Sequence, residues 1–253
     1  MKKLLSFSGG VESRTMAILY GNKADAIFSD TGNEHLALYA SLNTVEQKIR
    51  EFHNNDFKII KVKNEEWGSL DDYIRYAKFF PSFNQRFCTR MFKIGPIDNY
   101  LKQFKNEGVE IMIGLNADEK DMRTGNHGLL PWVKYSYPLA DDGIDRRMCH
   151  EILAAAGITP NFPPYMQRGG CYNCYYKSKK EYKAMAYMVP DEFDKIIALE
   201  EDIQDQREEY YHIIPSIPNL REFKRVAQSM MIAPEEMYSV INDATKCGVF
   251  CNR

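Results

Sequence analysis

Short apolar runs alternate with amphipathic stretches along the N-terminal part of the chain. Lys3 to Phe7, Ala24 to Ser29 and Phe57 to Lys63 have the length and apolar density of buried strands, and a stretch of helical periodicity separates each from the next. Between Asn33 and Phe52, Leu36, Tyr39, Leu42, Val45, Ile49 and Phe52 recur at three- and four-residue steps, which describes one stripe on a helix. Val109 to Leu115 supplies a fourth strand and Val133 to Leu139 a fifth. Strands that alternate with helices pair in parallel, because each crossover returns the chain to the same end of the sheet. The expected fold class is α/β, an open, mostly parallel five-stranded sheet with helices on both faces.

After Asp141-Asp142-Gly143 the pattern turns helical, interrupted by Pro160, Pro163 and Pro164 ahead of Arg168-Gly169-Gly170-Cys171. Lys180 to Met188, Asp191 to Glu209, Leu220 to Met230 and Pro234 to Ala244 read as helices. The expected organisation is an α/β nucleotide-binding unit over residues 1–165 and a cysteine-containing helical lobe over residues 166–253.

Composition removes several classes. With 44% hydrophobic and 27% charged residues in 253, the chain is neither disordered nor built to span a membrane. Lys+Arg 33 against Asp+Glu 35 leaves a formal charge of −2, so there is no global basic excess of a nucleic-acid binder, although a local basic groove stays open. Too few apolar residues follow Met1-Lys2-Lys3 for a secretory signal, and a cytoplasmic location is expected. In that reducing compartment the six cysteines are read as core residues, metal ligands or reactive thiols before disulfides.

The first candidate chemistry lies where the first strand meets the first helix. Ser6-Phe7-Ser8-Gly9-Gly10 delivers free N–H groups and the positive end of a helix dipole to one point, which suits a phosphate. A Gly-Gly pair can equally serve only a tight turn. The hydroxyls of Ser6, Ser8 and Ser13 add donors, and Glu12 adds an oxygen ligand suited to Mg²⁺.

Ser8-Gly9-Gly10-Val11-Glu12-Ser13 resembles the PP-loop signature Ser-Gly-Gly-x-Asp-Ser of the adenine nucleotide α-hydrolase superfamily, with glutamate in place of aspartate. That superfamily includes ATP pyrophosphatases, tRNA and DNA sulfurtransferases and the phosphoadenylylsulfate (PAPS) reductases. Three further segments are similar to the PAPS reductase-like branch. Asp30-Thr31-Gly32-Asn33-Glu34 resembles its Asp-Thr-Gly-x-Glu, and Cys88-Thr89-Arg90 through Lys93 and Pro96 its Cys-Thr/Cys-x-x-x-Lys-x-x-Pro. Gly114-Leu115-Asn116 through Asp118, Glu119 and Arg123 resembles Gly-x-Arg-x-x-Glu-x-x-x-Arg, with Asn116 in place of the first arginine. The resemblance implies an adenine nucleotide, ATP above all, held with Mg²⁺ by Ser6, Ser8, Gly9, Gly10, Glu12, Ser13, Asp30, Thr31, Gly32, Gly114 and Arg123. Glu12, Cys88, Arg90, Lys93 and Glu119 are the expected catalytic residues. Taken singly, Asp30-Thr31-Gly32 is an ordinary turn and Asp118 to Asp121 a solvated cluster; their order along one chain gives them weight.

The cysteines divide by spacing. Cys171-Tyr172-Asn173-Cys174 and Cys247 with Cys251 form two close pairs, and four thiolates suit a [4Fe–4S] cluster, favoured slightly here, or tetrahedral Zn²⁺. A redox dithiol at Cys171 and Cys174, or unconnected cysteines, are the alternatives. Cys149 falls on one helical face with Ile152, Leu153 and Ala156 and reads as core. Cys88 lies between Arg86 and Arg90, whose charge would lower a thiol's pKa, and is a cluster-adjacent thiol, a persulfide carrier or a buried residue. His127 reads as a loop histidine, and Tyr172, Tyr175 and Tyr176 either stack bases or cover the metal site.

The leading functional expectation is ATP-dependent adenylation coupled to sulfur transfer onto a nucleic acid or small acceptor, with a sulfur-donor protein or thioredoxin-like reductant as partner. A sulfonucleotide reductase is the first alternative, weakened because the tail Lys246-Cys247-Gly248-Val249-Phe250-Cys251 lacks the Glu-Cys-Gly-Ile/Leu-His element of those enzymes. A non-catalytic, metal-stapled nucleotide module is the second.

Overall fold

In the computed structural model, which describes residues 1–120, 130–163, 166 and 169–229, five strands form one sheet. They are β1 (Lys2–Ser6), β2 (Asp25–Asp30), β3 (Ile59–Lys63), β4 (Val109–Ile113) and β5 (Val133–Ser136). Their order is β3-β2-β1-β4-β5, and every neighbouring pair is parallel. Consecutive residues point to opposite faces, and in β1 both faces are covered. Leu5 packs with Met16, Leu38, Leu42 and Leu153, whereas Leu4 packs with Leu101 and Ile111. The chain leaves β1 at the sheet centre, and the crossover direction reverses between β1 and β4. Parallel α/β sheets open a ligand crevice at such a reversal.

The helices that frame the crevice are α1 (Val11–Tyr20), α2 (Leu36–His53), α3 (Leu70–Ala77), α4 (Gly95–Leu101) and α5 (Arg146–Ala156). The helical lobe contributes α6 (Lys179–Met188), α7 (Pro190–Gln204) and α8 (Leu220–Ser229). Ser69 and Ser178 each close a capping box, with Asp72 and Glu181, which sets the starts of α3 and α6. No described helix is long and apolar enough to cross a membrane.

Three expectations shift at their edges. β5 ends at Ser136 because Pro138, which has no N–H to donate, opens a helical turn, Pro138–Asp141. On α2 the buried residues are Leu38, Leu42, Val45 and Ile49, while Leu36 and Phe52 are exposed, since Leu38 rather than Leu36 packs beneath the glycine loop. α7 stops at Gln204, one residue past its last buried side chain, Ile203, where the stripe that holds it to the core runs out. Pro234 to Ala244 lies outside the described residues.

One apolar cluster joins the lobe to the first unit. Tyr182, Phe193, Ile196 and Leu199 pack with Leu70, Ile74, Phe80 and Phe92. A buried pair adds a polar tie: His35 Nε2 lies 3.1 Å from Glu192 Oε2, while His35 Nδ1 accepts the Ala37 N–H at the start of α2.

Candidate functional site

The loop after β1 has the shape its glycines suggest. Gly9 has a φ of +74°, a region costly for side chains, and Gly10 caps α1 with extended backbone. Ser8 stays exposed, and its hydroxyl lies 3.4 Å from that of Ser13, which donates to the Gly10 carbonyl. Ser6 ends β1 beside Ile27 of β2 and Ile113 of β4.

Behind the loop stands Arg14, a residue the motif does not single out. Only 3% exposed, it donates from Nε to the Gly9 carbonyl, from one terminal nitrogen to the Ile158 carbonyl and from the other to Ser41 Oγ. Burial lowers its pKa to about 10, so it remains a cation at neutral pH. The available signal was a charge at the head of Thr15-Met16-Ala17-Ile18, where a helix face turns inward.

At the β1/β4 reversal the second motif meets the first. A Cβ on Gly114 would approach the Glu12 carbonyl carbon to 3.1 Å, so glycine lets the chain leaving β4 pass close to α1 without displacing it. Asn116, 1% exposed, donates to Glu12 Oε1 at 3.3 Å, and Arg146 at the start of α5 pairs with the same oxygen. Glu119 follows in the short turn Ala117–Glu119, where the exposed Asp118 accepts the Arg146 N–H. Arg123 and His127 lie outside the described residues.

The segment after β2 leads to a second feature. Asp30 accepts from the Gly32 N–H and from Tyr39, whose phenol burial and Asp30 together keep protonated. Gly32, at φ +74°, would set a Cβ 2.5 Å from Ser69 Cβ, which fixes the turn against α3. Thr31 is fully buried; its hydroxyl donates to Glu34 and lies 3.5 Å from Cys171 Sγ. Glu34 also bridges to the Cys171 backbone, and Lys93 Nζ is 4.0 Å from its carboxylate.

Around Thr31 opens a small pocket bounded by Arg86, Cys88, Lys93, Cys171, Cys174, Tyr175 and Tyr176. It has room for roughly three waters, enough for a small group and not for a nucleotide. The backbone from Arg90 to Ile94 is a π-helical segment that holds Lys93 on the pocket wall, while Arg90 is exposed. Asp71, on α3, positions the opposite wall. It accepts from Asn33, Asn173 and Tyr172, which locks the two residues between Cys171 and Cys174. Tyr172 is therefore a buried strut and no stacking surface, whereas Tyr175 and Tyr176 form a ring cluster with the exposed Phe83. Cys149 is fully buried beside Leu153.

The thiol acidities run against the flanking charges. Burial raises the Cys88 pKa, an effect Lys93 only partly offsets, and burial together with the Glu34 carboxylate pushes Cys171 well up. Sequence neighbours Arg86 and Arg90 therefore do not make Cys88 a low-pKa thiol. Alkylation of Cys88 by iodoacetamide, followed by mass spectrometry, is expected to reach half its limiting rate above the ordinary 9.0. A plateau already reached at about pH 8 would contradict this.

Glu12 offers a carboxylate of the kind Mg²⁺ takes, its Oε1 meeting Asn116 and Arg146. Cys171 and Cys174 share the pocket with Cys88, yet among the described residues no three His, Cys, Asp or Glu side chains are disposed to hold an ion. Cys247 and Cys251 lie outside the described residues, as does Arg168.

Residues 2–127 match the family model described as Phosphoadenosine phosphosulfate reductase domain. Among solved structures, the chain is similar to the crystal structure of phosphoadenylyl-sulfate (PAPS) reductase from Candida auris, phosphate complex. The TM-score is 0.47 at 12% identity, covering 64% of this chain and 75% of that chain. No curated protein matches the chain. The family match takes in the glycine loop, Asp30, Cys88, Lys93 and Glu119 and ends before Cys171.

Proposed function

We propose, for a chain whose residues 2–127 make it a member of the phosphoadenosine phosphosulfate reductase domain family, that it binds ATP on the glycine loop and couples adenylation to sulfur transfer. The observation that carries this reading is the Glu12 carboxylate at the first turn of α1, beside the phosphate cradle. Paired at rest with Arg146, that carboxylate is an oxygen ligand a Mg²⁺-bound triphosphate can use and a metal-free sulfonucleotide does not need, which favours ATP with Mg²⁺. Bound by Glu12, Mg²⁺ would offset the charge of the departing pyrophosphate.

The chain's own groups supply the rest. N–H groups of Gly9 to Val11 and the hydroxyls of Ser8 and Ser13 orient the phosphates. The acceptor's oxygen attacks the α-phosphorus, the bond to the β-phosphate oxygen breaks, and pyrophosphate leaves with the electron pair. Cys88, charged with sulfur by a persulfide donor protein, presents its terminal sulfur to the activated carbon. A carbon–sulfur bond forms and AMP leaves. The Cys174 thiolate then attacks Cys88 Sγ, which releases the thiolated acceptor and leaves a Cys88–Cys174 disulfide for a dithiol reductant protein to reopen. Lys93 holds a positive charge near these sulfurs. Phe83, Tyr175 and Tyr176, with Arg86 5.6 Å over the Tyr176 ring, suit an acceptor that carries an aromatic base.

Acceptor-dependent pyrophosphate release from ATP is the test, run beside sulfite release from PAPS with a dithiol reductant. Pyrophosphate supports the reading. Sulfite without pyrophosphate replaces it with sulfonucleotide reduction, and ATP binding with neither product replaces it with a non-catalytic module. Cys88→Ser is expected to keep ATP affinity within about twofold while thiolated product falls by at least about a hundredfold, the signature of a group needed only after binding.

A further inference from the structure

We propose that Arg146 is a phosphate-binding residue of the glycine loop, supplied by α5 where position 116 cannot supply one. This rests on the nucleotide-binding reading above. Asn116 is 1% exposed and hydrogen-bonded to Glu12, and a Cβ on Gly114 two residues earlier would lie 3.1 Å from the Glu12 carbonyl carbon. Asn116 itself carries no charge. The positive charge next to Glu12 comes from α5 instead, where Arg146 pairs with Glu12 Oε1.

Three features make Arg146 more than a surface partner. Its backbone N–H donates to Asp118 Oδ2 at 3.1 Å, which fixes the root of the side chain beside the β4 loop. α5 is itself docked on α1, with Thr15 Oγ1 3.4 Å from the Cys149 carbonyl. The side chain is 49% exposed, against 20% for Glu12, so its guanidinium can pivot from the carboxylate to a ligand entering from solvent. A second observation points to a ligand: Asn116 Oδ1 is buried with no hydrogen-bond partner, at the point where Glu12 and Arg146 meet. An acceptor left open in this way suits a donor brought by the ligand or its water.

At rest Glu12 and Arg146 neutralise one another. A polyphosphate offers the guanidinium two parallel charge-assisted bonds in place of one carboxylate oxygen, and the arginine follows it. The terminal phosphates are the groups reached, since AMP lacks them.

Calorimetry of the full chain with ATP and AMP, with and without Mg²⁺, tests this. Arg146→Ala is expected to weaken ATP by at least about tenfold and AMP by less than about twofold, with Arg146→Lys intermediate. Glu12→Gln, which releases the guanidinium, is expected to tighten ATP in the absence of Mg²⁺. Because the Arg146 side chain is half exposed, Arg146→Ala should keep the wild-type urea midpoint; if it does not, Arg146→Lys decides, with wild-type ATP affinity counting against the proposal. Wild-type ATP affinity in Arg146→Ala, or equal losses for ATP and AMP, overturns the proposal and leaves the nucleotide reading intact. A wild-type chain that binds neither nucleotide overturns both.

Discussion

Gly9→Ala is expected to destabilise the folded chain by about 3 kcal/mol, the sum of a left-handed backbone penalty and overpacking. Gly9 has a φ of +74°, and an added Cβ would lie 2.0 Å from Leu38 Cδ1. Leu38 is fully buried on α2 and has nowhere to retreat. The loop must therefore lift, and ATP affinity should fall by more than about tenfold as the N–H groups lose their common focus. Gly10 is an internal control. Its φ is −78° and the nearest atom to an added Cβ is Ser8 Oγ at 3.5 Å, an ordinary contact. Gly10→Ala should stay within about 1 kcal/mol of wild type. Urea denaturation of the two variants decides, and equal midpoints would show that the loop does not have this geometry.

Arg14→Met should cost a similar amount, about 3 kcal/mol, by a different route. Methionine keeps the apolar stem packed, but the buried Gly9 and Ile158 carbonyls lose their donor. Ser41 suffers less, since its hydroxyl retains the bond to the Leu38 carbonyl. Arg14→Lys should recover only part of the loss, because an ammonium on a flexible stem cannot span three acceptors held apart on different elements. A wild-type urea midpoint for Arg14→Met would remove Arg14 from the support of the loop. Both variants probe one device, a glycine turn held from below by Leu38 and from behind by Arg14.

Much of the site was legible because its signals are local. Gly9 and Gly10 before Glu12, Asp30 before Gly32, and Cys171 three residues from Cys174 state their chemistry within a few positions. The same locality misled for Cys88. Arg86 and Arg90 stand close in sequence, yet the thiol's acidity answers to burial first and then to Lys93, Cys174 and Thr89. Asp71 had no signal of its own; among Leu70, Tyr73 and Ile74 it reads as an ordinary first-turn acid, and only the fold brings Asn33, Tyr172 and Asn173 to it.

By itself, the sequence determined the alternation of five strands with helices, the loop at the end of β1 and the inward face of most elements. Those follow from side-chain periodicity and from glycine's freedom at positive φ, which are properties of neighbouring residues. The tertiary structure alone decided which residues answer which. Arg14 meets Ile158 across 144 positions, Arg146 meets Glu12 across 134, and Cys88 joins the pocket of Cys171 and Cys174. A periodic pattern records that a side chain faces inward, and what it then meets depends on strand order and crossover packing, which no local stretch of chain encodes.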